Sequence, residues 1–225
     1  MMAMMKVIRR TDALVNRLMP AILSGELAEG DLLPSDQQLS TQYNVSRTVV
    51  REAFRILGAK GMITAKPRNG TRVAPMSNWA LWDLDVLEAL AGTGHASRFD
   101  PHITDMRAAI EPALAALAAS RAQPDDLSAL QSRLRDMQQA PGLAPEIAAE
   151  IAYLACIFEI SGNPFVGNAL NLSAWACKRS RDVPLEIYGQ LTVSICQGQP
   201  DAARRFALRA IFFRVKPLSD KNMSS

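Results

Sequence analysis

Histidine and cysteine are scarce in this chain: two His and three Cys in 225 residues. Cys156, Cys177 and Cys196 are odd in number and widely spaced, so they make neither a CxxC redox pair nor a zinc-ligand pattern. They read as reduced core thiols of a cytosolic protein. No Ser-His-Asp set is visible in the sequence, and the clustered Glu and His that helical bundles use for metal chemistry are lacking. A Gly-rich nucleotide loop is missing as well. These absences argue against an enzyme. No apolar run reaches the roughly 18 residues that a membrane helix needs. The opening MMAMMKVIRR has no long apolar core ahead of its charges, as a secretory signal would. The expectation is a cytoplasmic protein with no membrane partner. A content of 48% hydrophobic and 21% charged residues is globular, and the length suits one or two domains.

The charge that is present is unevenly placed. Overall it is only +3, but residues 1–75 carry 11 Lys and Arg against 6 Asp and Glu, and the remainder carries 14 against 16. A cationic front and a slightly acidic remainder suit a nucleic-acid-binding domain joined to a part with a different task.

The cationic part is organised around Ser46–Leu57, SRTVVREAFRIL. Ser46 is a good N-cap, because its hydroxyl can accept from an orphan amide of the first turn. Val50, Ala53, Phe54 and Leu57 recur at helical spacing as a buried stripe, while Arg47, Arg51 and Arg55 share another face. Ahead of it, Ser35 can cap a short helix DQQLSTQY, and Asn44 suits the tight turn between the two. Behind it, Gly61 can end the helix. Met62–Ala65 and Thr71–Val73 then read as short strands, and Lys66-Pro67-Arg68-Asn69-Gly70 between them is a basic hairpin tip with an Asn-Gly turn signal. The order helix, turn, Arg-rich helix, basic hairpin is a winged helix-turn-helix. Arginine forks read guanine edges in the major groove, and amides and cations hold phosphates.

The segment LPSDQQLSTQYNVSRTVVREAFRILGAKGMITAKPRNGTRV closely resembles the DNA-binding domain of GntR-family bacterial transcription regulators. The resemblance implies that Ser35, Gln37, Ser46, Arg47, Thr48 and Arg51 face the operator, with Arg68, Asn69, Gly70 and Thr71 in the wing. Many members carry Arg where this chain has Gln37, a position that often touches the operator in relatives, so its operator preference is expected to differ.

Along the rest of the chain, a first helix is expected over Arg9–Ser24, kinked or shortened by Pro20 and closed by Gly25. Residues 1–75 are expected to form the DNA-binding domain and 76–99 a linker and junction helix, with Ala74–Trp79 read as the linker because Pro, Ser and Asn break the pattern. Trp79 and Trp82 can clamp the reader against the second domain, or simply pack as core. Residues 100–225 read as an all-α antiparallel bundle of six helices: 104–120, 124–139, 145–160, 165–179, 185–197 and 201–216. Met106, Ile110, Leu114 and Leu117 form the stripe of the first.

This half resembles the FCD-type effector domain of the FadR-like branch of GntR regulators. The residues that carry this are MRAAIEP at 106–112, ISGNP at 160–164 and QGQPDAARRFALRA at 197–210. With the Trp79 segment, it looks most like regulators of sugar-acid catabolism, such as galactonate-responsive ones. Many FCD domains hold a divalent metal with one Asp and three His. By that resemblance the four positions fall on Glu150, Leu154, Tyr188 and Ala210, so no metal and no cofactor are expected. His95 and His102 are far from these positions in sequence. An anionic effector then needs another anchor. The resemblance implies that Arg107 is the candidate, since relatives place an Arg facing the effector cavity on the first long bundle helix, and a guanidinium suits a carboxylate by two hydrogen bonds. Tyr188 and Glu150 can add contacts to ligand hydroxyls. The competing reading is an Arg107–Glu111 surface pair at i, i+4. Arg179 and Arg181 are secondary candidates that nothing in the sequence fixes.

The expected function is a ligand-responsive transcription regulator, a repressor acting as a homodimer on a palindromic double-stranded operator, with a small carboxylate or sugar acid as effector. The alternative is a degenerate regulator whose helical domain only dimerises.

Overall fold

The amphipathic helix around Arg51 forms and sets the first unit. The computed structural model describes residues 2–66, 69–179 and 183–213, with side chains from Arg10 onward except Lys66. Backbone packing divides the chain between Arg98 and Phe99.

In the first unit, α1 (Met2–Ser24), α2 (Asp36–Gln42) and α3 (Arg47–Ala59) precede a hairpin of β1 (Ile63–Lys66) and β2 (Gly70–Val73). The helix α4 (Leu84–Ala91) closes the unit. Val49, Val50, Ala53 and Leu57 of α3 are buried against α1, whose Leu14, Leu18 and Ile22 face inward. Phe54 is only half-buried, and Val49 takes its place on the stripe. Ser46 caps α3 by accepting from the Val49 amide. Ser35 and Gln38 cap α2 reciprocally. Asn44 holds the turn between them at φ 50°, the left-handed region that its short polar side chain tolerates. The strands pair antiparallel with Ile63 opposite Val73 and Lys66 opposite Gly70. Leu33 donates to the Thr71 carbonyl, so residues 30–33 run along the outer edge of β2.

Helix α1 reaches the expected Ser24 with Pro20 inside it, and Gly25 follows at φ 83°, so the proline does not shorten the helix. The linker stretch Ala74–Trp79 is hydrogen-bonded to its surroundings. Ala74 donates to Met62 O, Trp79 Nε1 to Ala74 O, and Ala80 to Lys60 O, which fastens the stretch to the end of α3.

The second unit holds α5 (Asp100–Arg121), α6 (Pro124–Gln139), α7 (Leu143–Ile160), α8 (Ala169–Arg179), α9 (Leu185–Cys196) and α10 (Pro200–Phe213). A short 3-10 turn, Pro164–Val166, precedes α8. Residues 214–216, expected at the end of α10, lie outside the described residues. α5 packs against α7, α8, α9 and α10 at once. That explains its alanines, since small side chains let several helices approach one axis. Its buried face differs from the expected one. Ile103, Arg107, Glu111, Leu114, Ala115 and Ala118 are buried, Met106 is exposed, and Ile110 and Leu117 are half-buried.

Candidate nucleic-acid interface and bundle cavity

The N-termini of α2 and α3 meet at one exposed corner of the first unit. Ser35, Gln37, Ser46, Arg47, Thr48 and Arg51 are all exposed there. The corner is wired across the two helices. Arg47 Nη2 donates to Gln37 Oε1 at 2.7 Å, and Arg51 Nε to Asp36 Oδ2 at 3.0 Å. Arg51 remains 76% exposed despite this bond, so its fork still projects into solvent. The role of Asp36 is not legible in the sequence. Its first-turn position on α2 signals a helix start, and nothing local says that it reaches a residue 15 positions on. Arg55, on the same face of α3, is held by Glu52 through Nε and Nη2. The hydrogen bond from Arg55 keeps the Glu52 carboxyl below its ordinary range. In the hairpin, Asn69 and Gly70 are exposed and Thr71 is half-buried. Arg68, expected at its tip, lies outside the described residues.

In the second unit two of the three effector candidates, Arg107 and Tyr188, line one interior cavity, and Glu150 is not part of its lining. Arg107, Glu111, Leu154, Tyr188 and Ala210 line it, with alanines 115 and 207. Arg107 lies at the cavity, and the i, i+4 pair of the competing reading forms there too, inside the bundle and not on its surface. Arg107 is 4% exposed and Glu111 6%. Arg107 donates from Nε to Glu111 Oε1 at 2.5 Å and from Nη2 to Oε2 at 3.1 Å. Ser173 of α8 donates to Glu111 Oε1 at 2.6 Å. Burial alone would lower the Arg107 pKa, and the Glu111 charge more than offsets it.

Tyr188 donates to Glu150 Oε1, which reaches across from α7. Burial pushes the Tyr188 phenol well above its ordinary value and the neighbouring Cys177 thiol up to about 12, so both stay protonated at neutral pH. Tyr153 stands edge-on to Tyr188, with ring centroids 5.3 Å apart, and shares a hydrogen bond with Thr192. The free space in the cavity is about 10 Å³, enough for about one water. Among the described residues no three His, Cys, Asp or Glu gather as a metal site. His95 and His102 are both exposed. Arg179 is engaged elsewhere. It pairs with Asp100 and lies 4.5 Å over the Trp175 ring. Arg181 is outside the described residues.

Residues 10–73 match the family described as bacterial regulatory proteins, gntR family, and residues 102–197 match the FCD domain. The chain is 32% identical over 200 residues to the HTH-type transcriptional regulator YieP of Escherichia coli K12, covering 84% of this chain and 87% of that protein. It is 35% identical over 130 residues to the galactonate operon transcriptional repressor of the same organism, a match spanning 58% of this chain and 57% of that one. A solved GntR structure from Streptococcus agalactiae shares the fold with a TM-score of 0.51 at 22% identity, over 92% of this chain and 97% of that one. Lar of Listeria monocytogenes shares it with a TM-score of 0.58 at 19% identity, over 89% and 92%.

Proposed function

The chain belongs to the GntR family of bacterial transcription regulators, with an FCD domain behind its DNA-binding domain, and from that premise we propose a repressor that grips a palindromic operator as a homodimer in the cytoplasm. The observation that carries the DNA contact is the exposed corner of α2 and α3. Arg47, Thr48 and Arg51 project from the first turns of a capped helix, where a recognition helix meets base edges. Ser35, Gln37 and Ser46 frame them, and Arg68, Asn69, Gly70 and Thr71 hold the wing against the adjoining groove. The galactonate operon repressor and NanR, a repressor of Klebsiella aerogenes 30% identical over 159 residues, support the sense of the regulation.

Arg51→Ala tests the contact. The variant should lose most of its operator affinity, roughly 1–3 kcal/mol per site, in fluorescence anisotropy, while its circular dichroism is unchanged. Wild-type affinity would remove Arg51 from the interface.

For the second unit we propose that a small carboxylate or sugar acid enters the cavity lined by Arg107 and Tyr188, with Glu150 coupled to it through its bond with Tyr188, without a metal, since Leu154, Tyr188 and Ala210 offer no imidazole. The effector must favour one arrangement of the readers over another, or no change in DNA binding follows. A second reading is favoured by one observation: the cavity holds about one water's volume, as in a bundle that only dimerises. A thermal-shift screen with galactonate, other sugar acids and small carboxylates separates the two, since a bound ligand raises the melting temperature and an inert bundle responds to none.

A further inference from the structure

Arg107 is the cation offered to an acid, yet its charge is already matched. Both Glu111 oxygens accept from it, and neither partner reaches solvent appreciably. A second carboxylate brought to Arg107 with Glu111 in place would leave net negative charge in a low-dielectric interior. There is also no room for it, because the free space beside the pair is about 10 Å³. Alanines 115, 207 and 210 line this spot, so the space a ligand needs must come from a side chain that moves.

We propose that Glu111 sits in the effector's place: its carboxylate is a built-in competitor, and an acid binds by exchanging with it on Arg107. Glu111 thereby sets both the affinity and the charge preference of the cavity. The exchange also has a mechanical consequence. Ser173 of α8 donates to the same Glu111 oxygen, so a departing Glu111 releases a bond between α5 and α8. The inference rests on the acid-effector reading of the bundle and adds to it the group that must be displaced.

The test is rescue of a truncated side chain in the full-length protein. Glu111→Ala leaves Arg107 buried without its counter-ion and opens space beside it, so its melting temperature should fall below that of the wild type. Sodium formate should then raise it by several degrees, saturably, where sodium chloride at equal ionic strength does not. Neither the wild type nor the Arg107→Ala/Glu111→Ala double variant should show the formate-specific rise. Formate no better than chloride on Glu111→Ala overturns the proposal. If that variant does not fold, Glu111→Gln keeps the shape without the charge. It should bind galactonate at least about tenfold more tightly than the wild type by calorimetry, a gain of roughly 1.4 kcal/mol, and equal or weaker binding overturns the proposal. Formate rescue with no acid stabilising the wild type would uphold the role of Glu111 and sink the acid-effector reading. Acid binding to the wild type without rescue would do the reverse.

Discussion

At Gly61 the backbone leaves α3 with φ +70°, a conformation that suits a residue without a Cβ. A Cβ there would also overlap the carbonyl oxygen of Asn78. Gly61→Ala should therefore destabilise the first unit by more than about 1 kcal/mol, seen as an earlier unfolding transition in urea. Gly25→Ala is the comparison, because its φ of +83° is similar but nothing lies within 4 Å of the added carbon. Only the larger loss at 61 carries the clash, so equal losses would mean that Asn78 can give way. The glycine cap was legible in the sequence, since Gly just past an apolar stripe ends a helix. The approach of Asn78 was not, because 17 residues separate the two and no local pattern encodes that meeting. Arg107 and Glu111 show the same limit. Their spacing announced the pair; the inward placement of Arg107 came only from the resemblance, because the burial is imposed by the four packed neighbours of α5 and a charged pair on an Ala-rich helix does not advertise it.

Among the elements, α4 was expected only as a junction helix somewhere in residues 76–99, and electrostatics show what fastens it. Lys60, at the end of α3, donates to Asp83 Oδ1 at 2.5 Å and Asp85 Oδ2 at 2.8 Å, at the start of α4. Asp83 is also the N-cap of α4, accepting from the Asp85 and Val86 amides. Burial pushes the Asp83 carboxyl up, but Lys60 and these amides outweigh it and hold the group below its ordinary 3.8. Burial likewise pushes Lys60 down, and the two carboxylates outweigh it and raise it. A depressed carboxyl stabilises the fold above its unfolded value and loses that contribution as pH falls through the folded one. A raised ammonium stabilises below its unfolded value and loses its contribution as pH rises through the folded one. Lys60→Met should therefore flatten the stability profile of the first unit at both ends, below pH 3.8 and above pH 10.5, in melts monitored across pH. An unchanged acid limb would show that the backbone amides alone depress Asp83. Sequence legibility followed the same division. Caps and stripes named α2, α3 and the bundle helices, because those signals are local. The face of α5 was misassigned because a helix surrounded by neighbours has no single apolar stripe to read.

For the whole molecule, the separation of charge makes DNA binding a salt-sensitive event. Residues 1–75 hold the excess of Lys and Arg, and the remainder is slightly acidic. Each phosphate neutralised by a cation releases counter-ions, so log affinity falls linearly with log salt at a slope of about −0.9 per contact. This turns one substitution into a measure of both role and assembly. If Arg47 touches a phosphate, Arg47→Ala removes one contact from each copy of the reader on the duplex. The slope should then shrink by about 1 for a single copy and by about 2 for a dimer on a palindrome. A base-reading Arg47 would also relax discrimination among operator variants at one position of each half-site. The Gln37 bond argues that Arg47 is held in a fixed direction before DNA arrives, which favours a sequence-reading role over a mobile phosphate contact. Anisotropy titrations of the wild type and Arg47→Ala, each at several salt concentrations on full and half operators, measure both quantities. A loss in slope near 1 on the full palindrome would contradict the homodimer, and an unchanged slope with relaxed discrimination would assign Arg47 to the bases.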